Sequence, residues 1–274
     1  MKLLSLAVVL ALSFAPASAK ATAGGQDKIT LKFNPKQGDK FVKTDLTEMS
    51  IKSKVVAQGQ EQELQIDQKQ TQKSKLEYVE VTGGAVTKAV LVCEEDLEER
   101  KGPPSNQWDK KERSMHGRKV TMSMKDGALV REGAEGLDEK QLKKLDLFDR
   151  TSLIYPKTPV GPGDSWEVQG EDVRRFLGAD GDLREAKIKL TLVEVKDIDG
   201  KRCAVLKAVL ELVGKAKGDV DIATKLDADV IVWIERGYAL SVKGKGIVTM
   251  KAENAQFSMK GEGPMTLEKT LKLE

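Results

Sequence analysis

The sequence is poor in histidine, cysteine and aromatic residues. Among its 274 residues are one histidine and two cysteines, and 4% are aromatic. One histidine and two cysteines provide few ligands for a zinc site. A core with so few aromatic rings must be mainly aliphatic. No phosphate-binding glycine loop, dinucleotide fingerprint, metalloprotease helix or G-x-S-x-G nucleophile motif is present. The common catalytic motifs therefore indicate no reaction, and the sequence predicts no cofactor and no metal.

The sequence also lacks an excess of charge of one sign. It has 46 basic and 43 acidic residues, a formal net charge of +3, and the two signs are interleaved along the chain. A dedicated nucleic-acid-binding protein normally concentrates basic residues on one face. The sequence therefore predicts no nucleic-acid partner, and its dense mixed charge is typical of a solvated surface.

Long apolar runs are missing except at the start, which has the features of a signal peptide. In residues 1–19, MKLLSLAVVLALSFAPASA, a positive Lys2 precedes the apolar run Leu3–Phe14 and the small-residue cleavage signal Ala17-Ser18-Ala19. No later segment approaches the roughly 20 apolar residues of a membrane helix. The sequence predicts a secreted or periplasmic protein that begins at Lys20, without a membrane span and, since no cysteine stands at the cleavage point, without a lipid anchor.

Alternation of apolar and polar residues dominates the rest of the chain. Ile29, Leu31 and Phe33 alternate with polar residues, and a similar pattern closes the chain from Met265 to Leu273. A period of two indicates strands with one buried and one wet face, as in antiparallel sheets. Residues 137–150 and 171–178 instead have helical spacing, and 101–118, with its Pro-Pro pair, predicts a long exposed loop.

Three elements occur twice, in the same order. PKQGDKFV (35–42) matches VGPGDSWEV (160–168) in Gly-Asp, a polar residue and an aromatic residue. Two predicted hairpins follow each motif; they are VEVTGGAVTKAVLV (79–92) and VTMSMKDGALV (120–130) in the first copy, VEVKDIDGKRCAVLKAVLEL (193–212) and VIVWIERGYAL (230–240) in the second. The sequence therefore predicts a first β repeat at 28–135, a linker helix at 136–154 and a second β repeat at 155–274.

Each Gly-Asp motif has a predicted structural role at the start of a strand. The glycine can take the positive φ of a tight turn, the aspartate can hydrogen-bond backbone amides of that turn, and the ring can anchor the strand by its burial. A ligand site is the less favoured alternative. The residues are Gly38, Asp39 and Phe41 in the first copy and Gly163, Asp164 and Trp166 in the second.

These features together resemble those of a known group of proteins. The signal peptide, the Pro35-x-x-Gly38-Asp39 motif, PVGPGDSW at 159–166 and the strand-turn-strand units around Gly127 and Gly237 resemble secreted bacterial β-rich proteins of uncharacterised function. Those proteins are similar in layout to the carrier proteins for lipoproteins and lipids of the bacterial envelope. The resemblance implies a strongly curved antiparallel sheet, an open half-barrel whose concave side is plugged by helices. It carries over no binding residue.

The predicted fold is mainly β (β-rich α+β), with two similar curved antiparallel sheets or half-barrels and one or two short helices. In a lipid-binding version of this fold, flexible apolar side chains would line the groove; the candidates are Met122, Met124, Leu142, Leu145 and Phe148. Packing in a filled core is the alternative for all of them. A copper(I) site formed by Met115, His116 and the two strand methionines is a further, less favoured alternative.

Two separately buried thiols are favoured for Cys93 and Cys203, because the two repeats align them with different positions. A disulfide is the alternative in an oxidising compartment.

The sequence predicts an exported, non-enzymatic binding or scaffold protein of the bacterial envelope, whose partner is a lipid, another apolar ligand or an envelope protein. One alternative is a structural or protein-interaction module with a filled core and no ligand. The other is a secreted hydrolase, in which His116 is the only histidine that could act as the base.

Overall fold

The fold was analysed in a computed structural model that describes residues 28–103, 105–147, 150–177, 182–216, 219–254 and 257–274. The predicted signal peptide and Phe148 lie outside these residues. The first half contains the strands β1 (Lys40–Ala57), β2 (Gln60–Thr82), β3 (Ala85–Lys101), β4 (Trp108–Glu112), β5 (Lys119–Lys125) and β6 (Ala128–Glu132), then helix α1 (Glu139–Lys144) and a 3-10 helix (Arg150–Ile154). The second half contains β7 (Ser165–Gln169), α2 (Glu171–Leu177), β8 (Asp182–Ile198), β9 (Lys201–Ala216), β10 (Val220–Trp233), β11 (Tyr238–Asn254) and β12 (Phe257–Leu273).

All twelve of these strands belong to one curved antiparallel sheet. Its order is β6-β5-β3-β2-β1-β12-β11-β10-β9-β8-β7, and β4 pairs with the last residues of β3. The outermost strands, β6 and β7, are not paired with each other in the described part of the chain, so the sheet is not closed. The prediction of a mainly β fold with few short helices is confirmed. The strands of both predicted repeats lie in this one sheet, because β1 of the first repeat pairs with β12 of the second.

The two Gly-Asp motifs make the same set of backbone hydrogen bonds. Gly38 N donates to Tyr78 O (2.7 Å), and Tyr78 N donates to Asp39 O (2.9 Å). In the second motif Gly163 N donates to Leu192 O (2.7 Å), and Leu192 N donates to Asp164 O (3.0 Å). Both glycines have a positive φ, 83° and 91°. The division into two repeats stays a prediction, and this matched geometry is a reason to retain it.

Each aspartate also closes its own turn. Oδ2 of Asp39 accepts a hydrogen bond from Lys36 N, and Oδ2 of Asp164 accepts one from Gly161 N, both at 2.9 Å. The rings that follow differ in burial. Phe41 is buried against the rings of Tyr78 and Tyr238, whereas half-buried Trp166 donates from Nε1 to Ile154 O (2.8 Å).

Asp39 has further partners far along the chain. Arg236 donates from Nη2 to its Oδ1 (2.8 Å), and the Tyr238 hydroxyl donates to its Oδ2 (2.6 Å). Tyr238 is buried beside it, and the Arg236 side chain is only 11% exposed. Burial and this hydrogen bond raise the pKa of Tyr238 well above its ordinary value. The first turn motif is thereby joined to the β10–β11 turn, whereas Asp164 is exposed.

One face of the sheet carries two hydrophobic clusters. In the first cluster, Ala89, Cys93, Val120, Met122 and Leu145 are buried, and Leu142 of α1 packs against them. The second cluster includes Leu190, Leu192, Leu206 and Val232 from the sheet and Val173 from α2, with Phe176 packed against it. α1 and α2 therefore cover part of the face, as the resemblance implies.

Three segments differ from their sequence predictions. Helix α1 is shorter than the predicted 137–150, because Leu145 leaves helical geometry and its carbonyl accepts a hydrogen bond from Arg131 Nε (2.7 Å). The segment from Lys28 to Phe33 makes only an isolated bridge, Ile29 to Val160, because Ile29 and Leu31 pack onto the second cluster. The predicted loop at 101–118 contains β4, whose five side chains are all exposed and so show no alternation.

Candidate functional site

The two faces of the sheet differ in chemistry. The face that we call the apolar face carries both clusters and, on β1, every second residue from Phe41 onwards. The opposite face carries exposed ion pairs between neighbouring strands, including Lys225–Glu211 and Lys243–Glu268, both at 3.0 Å. Exposed pairs of this kind contribute little stability, so they mark a solvated face. A functional site for an apolar ligand therefore has to be sought on the apolar face.

Part of the apolar face belongs to neither hydrophobic cluster. It lies on the central strands, and we call it the open patch: Met49, Val55, Ile222, Met250, Met259 and Met265. The pairings Met49↔Met265 and Val55↔Met259 place these side chains next to each other across β1 and β12. All six are partly exposed. The open patch is therefore a partly accessible apolar surface, and Ile51, Val248 and Ala252 of the same face are buried among its residues.

Glycines lie between the methionines of the open patch. Gly246 and Gly263 are on β11 and β12, where a Cβ atom would lie 2.0 Å from Lys225 O and 1.7 Å from Ser50 O, respectively. Glycine inside a strand marks a sharp bend or a close backbone approach. These two glycines therefore let neighbouring strands come closer than any side chain would permit, at the centre of the sheet.

A line of polar residues crosses the same face beside the open patch. We call it the polar row: Lys269, Asp45, Gln72 and Asp96, which the strand pairing places side by side on β12, β1, β2 and β3. Lys43 Nζ lies 3.0 Å from Asp45 Oδ2. Asp45 Oδ1 is buried and accepts no hydrogen bond from the described residues. The apolar face thus changes from aliphatic to polar within a few residues along β1.

Cys93 and His116 surround the Asp96 end of the polar row. The Cys93 thiol donates to Glu95 O (3.3 Å), and Asp96 N donates to His116 Nδ1 (3.3 Å). Arg113 Nη1 lies 3.5 Å from Asp96 Oδ1, in an ion pair without hydrogen-bond geometry. The Asp96 side chain is only 4% exposed. This end of the row thus combines a buried thiol and carboxylate with a partly exposed imidazole and guanidinium group.

Both ring nitrogens of His116 have polar neighbours among the described residues, and the hydrolase alternative stays a prediction. Its Nδ1 lone pair already accepts the Asp96 backbone N–H, and its Nε2 lies 3.6 Å from Glu112 Oε1. A general base must reach the proton of a nucleophile directly or through one water. Within the described part of the chain, no group of three or more His, Cys, Asp or Glu side chains is arranged to hold a metal ion.

The predicted groove residues lie mostly in the first cluster. Met122 and Leu145 are buried there, and Leu142 packs against them, whereas Met124 is 44% exposed. Their role as groove lining stays a prediction. Sequence reasoning named none of the six residues of the open patch as groove lining, although one signal was present. In SMKGEGPMTL (258–267), methionine, glycine and leucine recur at every second position. Methionines are flexible and glycines add no side chain between them, so this alternation on one face could have indicated an adaptable apolar surface.

Cys93 and Cys203 are both free and buried. Burial, reinforced by the negative charge of Asp96, raises the pKa of the Cys93 thiol from 9.0 to about 11. The folded protein therefore keeps this thiol protonated while the unfolded chain ionises, and this contribution to stability is lost as the pH rises from about 9 to about 11.

In the Cys203→Ala variant, alkylation of Cys93 by iodoacetamide at pH 8 is expected to be at least about 100-fold slower in the folded protein than in urea, since a pKa two units higher leaves about one hundredth of the thiolate. Mass spectrometry of timed samples measures both rates. Equal rates in buffer and in urea would show that the thiol is neither buried nor raised in pKa.

Comparison with known proteins gives weak similarities. No family model matches the chain, and no curated protein matches it. One similar solved structure is that of lipovitellin, determined for its lipid–protein interactions, with 10% identity and a TM-score of 0.44 over 87% of this chain. The chain spans only 25% of that protein.

A second similar solved structure is that of a DUF1329 family protein from Desulfovibrio piger, with 10% identity and a TM-score of 0.15. The match covers 84% of this chain and 85% of that chain. Within the described residues, no helix is long and apolar enough to cross a membrane. Both structural similarities are too low to assign the chain to a family, so a function has to be argued from the open patch and the polar row themselves.

Proposed function

We propose that the chain is an exported, non-enzymatic binding protein of the bacterial envelope whose open patch holds a lipid or another apolar ligand. The observation that carries this proposal is the partial exposure of Met49, Met250, Met259 and Met265 on the apolar face, outside both clusters. Export and the envelope location depend on the predicted signal peptide and on the resemblance in sequence pattern.

Exposed apolar surface at one place in a protein needs a physical reason. Contiguous apolar patches generally mark sites for ligands, partners or membranes. Methionine is unbranched and polarizable, so a surface rich in methionine can adapt to chains of differing shape. The open patch therefore suits a flexible apolar ligand better than a rigid polar one.

The dimensions of the open patch suit an acyl chain. Along β12 the open patch runs from Met259 to Met265, about 20 Å at 3.4 Å per residue. The hydrocarbon region of one membrane leaflet is about 15 Å thick, half of a 30 Å bilayer core. The strand is therefore long enough for one acyl chain to lie along it in an extended form.

A structural or protein-interaction module without a small ligand is the second candidate. The filled clusters beneath α1 and α2 favour it, because they show that both ends of the apolar face are already packed. The two candidates differ in whether the open patch binds an apolar compound in the isolated protein.

Binding of a fluorescent naphthylamine probe to delipidated protein tests the proposal. Met265→Gln is expected to weaken probe binding about tenfold, because burial of a methionine side chain contributes about 1.5–3 kcal/mol and 1.4 kcal/mol corresponds to tenfold. The matched control is Ile247→Gln, since Ile247 is on β11, on the opposite face, and 51% exposed. This control is expected to bind the probe as the wild type does.

Native mass spectrometry after gentle purification gives an independent measurement. A mass excess that disappears on extraction with organic solvent is the expected result. If the protein is found without ligand and the probe does not bind, the lipid proposal is wrong and the interaction module is favoured.

A further inference from the structure

We infer that the methionines of the open patch form an oxidation site, where a peroxide converts them to sulfoxides and the patch then releases its apolar ligand. These methionines are Met49, Met250, Met259 and Met265. The inference rests on the proposed function and adds a means by which binding is regulated. The access to these sulfur atoms, their grouping on one surface and the burial of both thiols indicate it.

Half of the methionines in the sequence lie in the open patch. The sequence contains eight, and the four in the patch are partly exposed, whereas Met122 is buried in the first cluster. Met49 is paired with Met265 across β1 and β12. Met250 lies on the neighbouring strand β11, diagonally across from Met259. An oxidant that reaches the patch therefore meets several thioethers next to one another.

One line across the sheet shows where leucine replaces methionine. Strand pairing places Met265, Gly246, Leu226 and Leu210 side by side on β12, β11, β10 and β9. Leu226 is buried, and Leu210 packs against the second cluster. Leucine and methionine have similar volumes, but only methionine contains a thioether. Along this line, sulfur therefore occurs at the accessible end of the face and leucine at the packed end.

The two thiols of the protein are sheltered from oxidants. Cys93 and Cys203 are both buried, and burial raises the pKa of each thiol above its ordinary value. The susceptibility of a cysteine to oxidation follows its thiolate character and its exposure. Neither cysteine therefore competes with the open patch for the oxidant.

The reaction needs only a peroxide in addition to the thioether. A sulfur lone pair attacks one oxygen of hydrogen peroxide, so that an S–O bond forms and the O–O bond breaks. The sulfur is oxidised by two electrons, and the departing hydroxide takes the proton of the transferred hydroxyl group and leaves as water. The resulting sulfoxide is polar. Covering it with an acyl chain would bury an acceptor without a donor, which is unfavourable.

Timed oxidation of the delipidated protein by hydrogen peroxide, followed by peptide mass spectrometry, measures access to each sulfur atom. The patch methionines are expected to form sulfoxides at least about tenfold faster than buried Met115 and Met122, because the oxidant must reach the sulfur. Saturation with the naphthylamine probe is expected to slow the patch methionines at least about fivefold. It is expected to leave the rate at Met124 unchanged, since Met124 is 44% exposed and outside the patch.

Probe binding after removal of the peroxide measures the effect on the ligand site. The oxidised protein is expected to bind the probe at least about tenfold more weakly, as is expected of Met265→Gln, because both changes make an apolar contact polar. Treatment with methionine sulfoxide reductases for both sulfoxide epimers is expected to restore the binding.

A variant without sulfur in the open patch separates oxidation there from oxidation elsewhere. M49L/M250L/M259L/M265L is expected to bind the probe within about threefold of the wild type, because leucine is apolar and similar in volume. It is expected to keep this affinity after peroxide treatment. Met124→Leu is the matched control and is expected to lose binding on oxidation as the wild type does. Should the fourfold variant not fold, restoration of the wild type by the reductases decides.

The outcomes separate the inference from the proposed function. If the sulfoxides form but the probe binds as before, or if the fourfold variant loses binding on oxidation, the inference is overturned and the lipid proposal stands. Patch methionines that react no faster than Met122 would also overturn the inference. If the probe does not bind before oxidation, the proposed function fails and the inference fails with it.

Discussion

Replacement of Gly263 by alanine is expected to destabilise the protein by about 3 kcal/mol, because an added Cβ overpacks a close contact. Its Cβ would lie 1.7 Å from Ser50 O, a backbone atom of the neighbouring strand β1 that no rotamer change can move away. For a protein of this size such a change lowers Tm by about 6–12 °C. Differential scanning calorimetry measures the change in Tm. Gly246→Ala is expected to lower Tm in the same way, because its Cβ would meet Lys225 O.

Gly161→Ala is the matched control for both variants. Gly161 has no positive φ, and a Cβ there would meet its nearest atoms at 3.9 Å, an ordinary van der Waals contact. Its Tm is expected to remain within about 2 °C of the wild type. An unchanged Tm for Gly263→Ala would contradict the close approach of β1 and β12 that brings both halves of the sheet together.

Replacement of Asp39 by alanine is expected to cost about 3–5 kcal/mol of unfolding free energy, because removing one partner of a buried ion pair leaves the other charge uncompensated. Arg236 and the Tyr238 hydroxyl would both lose their acceptor in a buried environment. Equilibrium urea unfolding measures the difference.

Asp164→Ala controls for the turn itself. Asp164 makes the same turn hydrogen bond to a backbone N–H, but its side chain is exposed. Its replacement is expected to cost only about 0.5–1.5 kcal/mol, the net contribution of one hydrogen bond. In the double variant Asp39→Ala/Arg236→Met, part of the lost stability is expected to return, because no buried charge is left unpaired. Equal losses for Asp39→Ala and Asp164→Ala would contradict the buried contacts of Asp39.

The sequence predicted local features well where burial alternates along the chain. The turns at Gly38 and Gly163 have the predicted positive φ, and their aspartates make the predicted hydrogen bonds to backbone amides. The predicted hairpins at 79–92 and 193–212 correspond to β2–β3 and β8–β9. β4 was missed because a strand with five exposed side chains has no periodic pattern to detect.

The candidate site could be predicted only in part. That some apolar surface would remain uncovered follows from alternation with few helices, but its position does not. Met49 and Met265 are far apart in sequence and meet only because β1 pairs with β12. Met122, named from its spacing, lies in the first cluster. Spacing along one strand shows which residues share a face; it does not show which part of that face a helix covers.

By itself, the sequence determined the kind of structure: antiparallel strands with one apolar face, short turns with glycine at positive φ, and an aliphatic core. These are local properties, because side-chain alternation and turn chemistry act over a few residues. Only the tertiary structure decided that both halves form one unclosed sheet, that Asp39 meets Arg236 and Tyr238, and that a polar row lies beside an open patch. Strand order and register depend on contacts between distant residues, and no pattern within one strand specifies them.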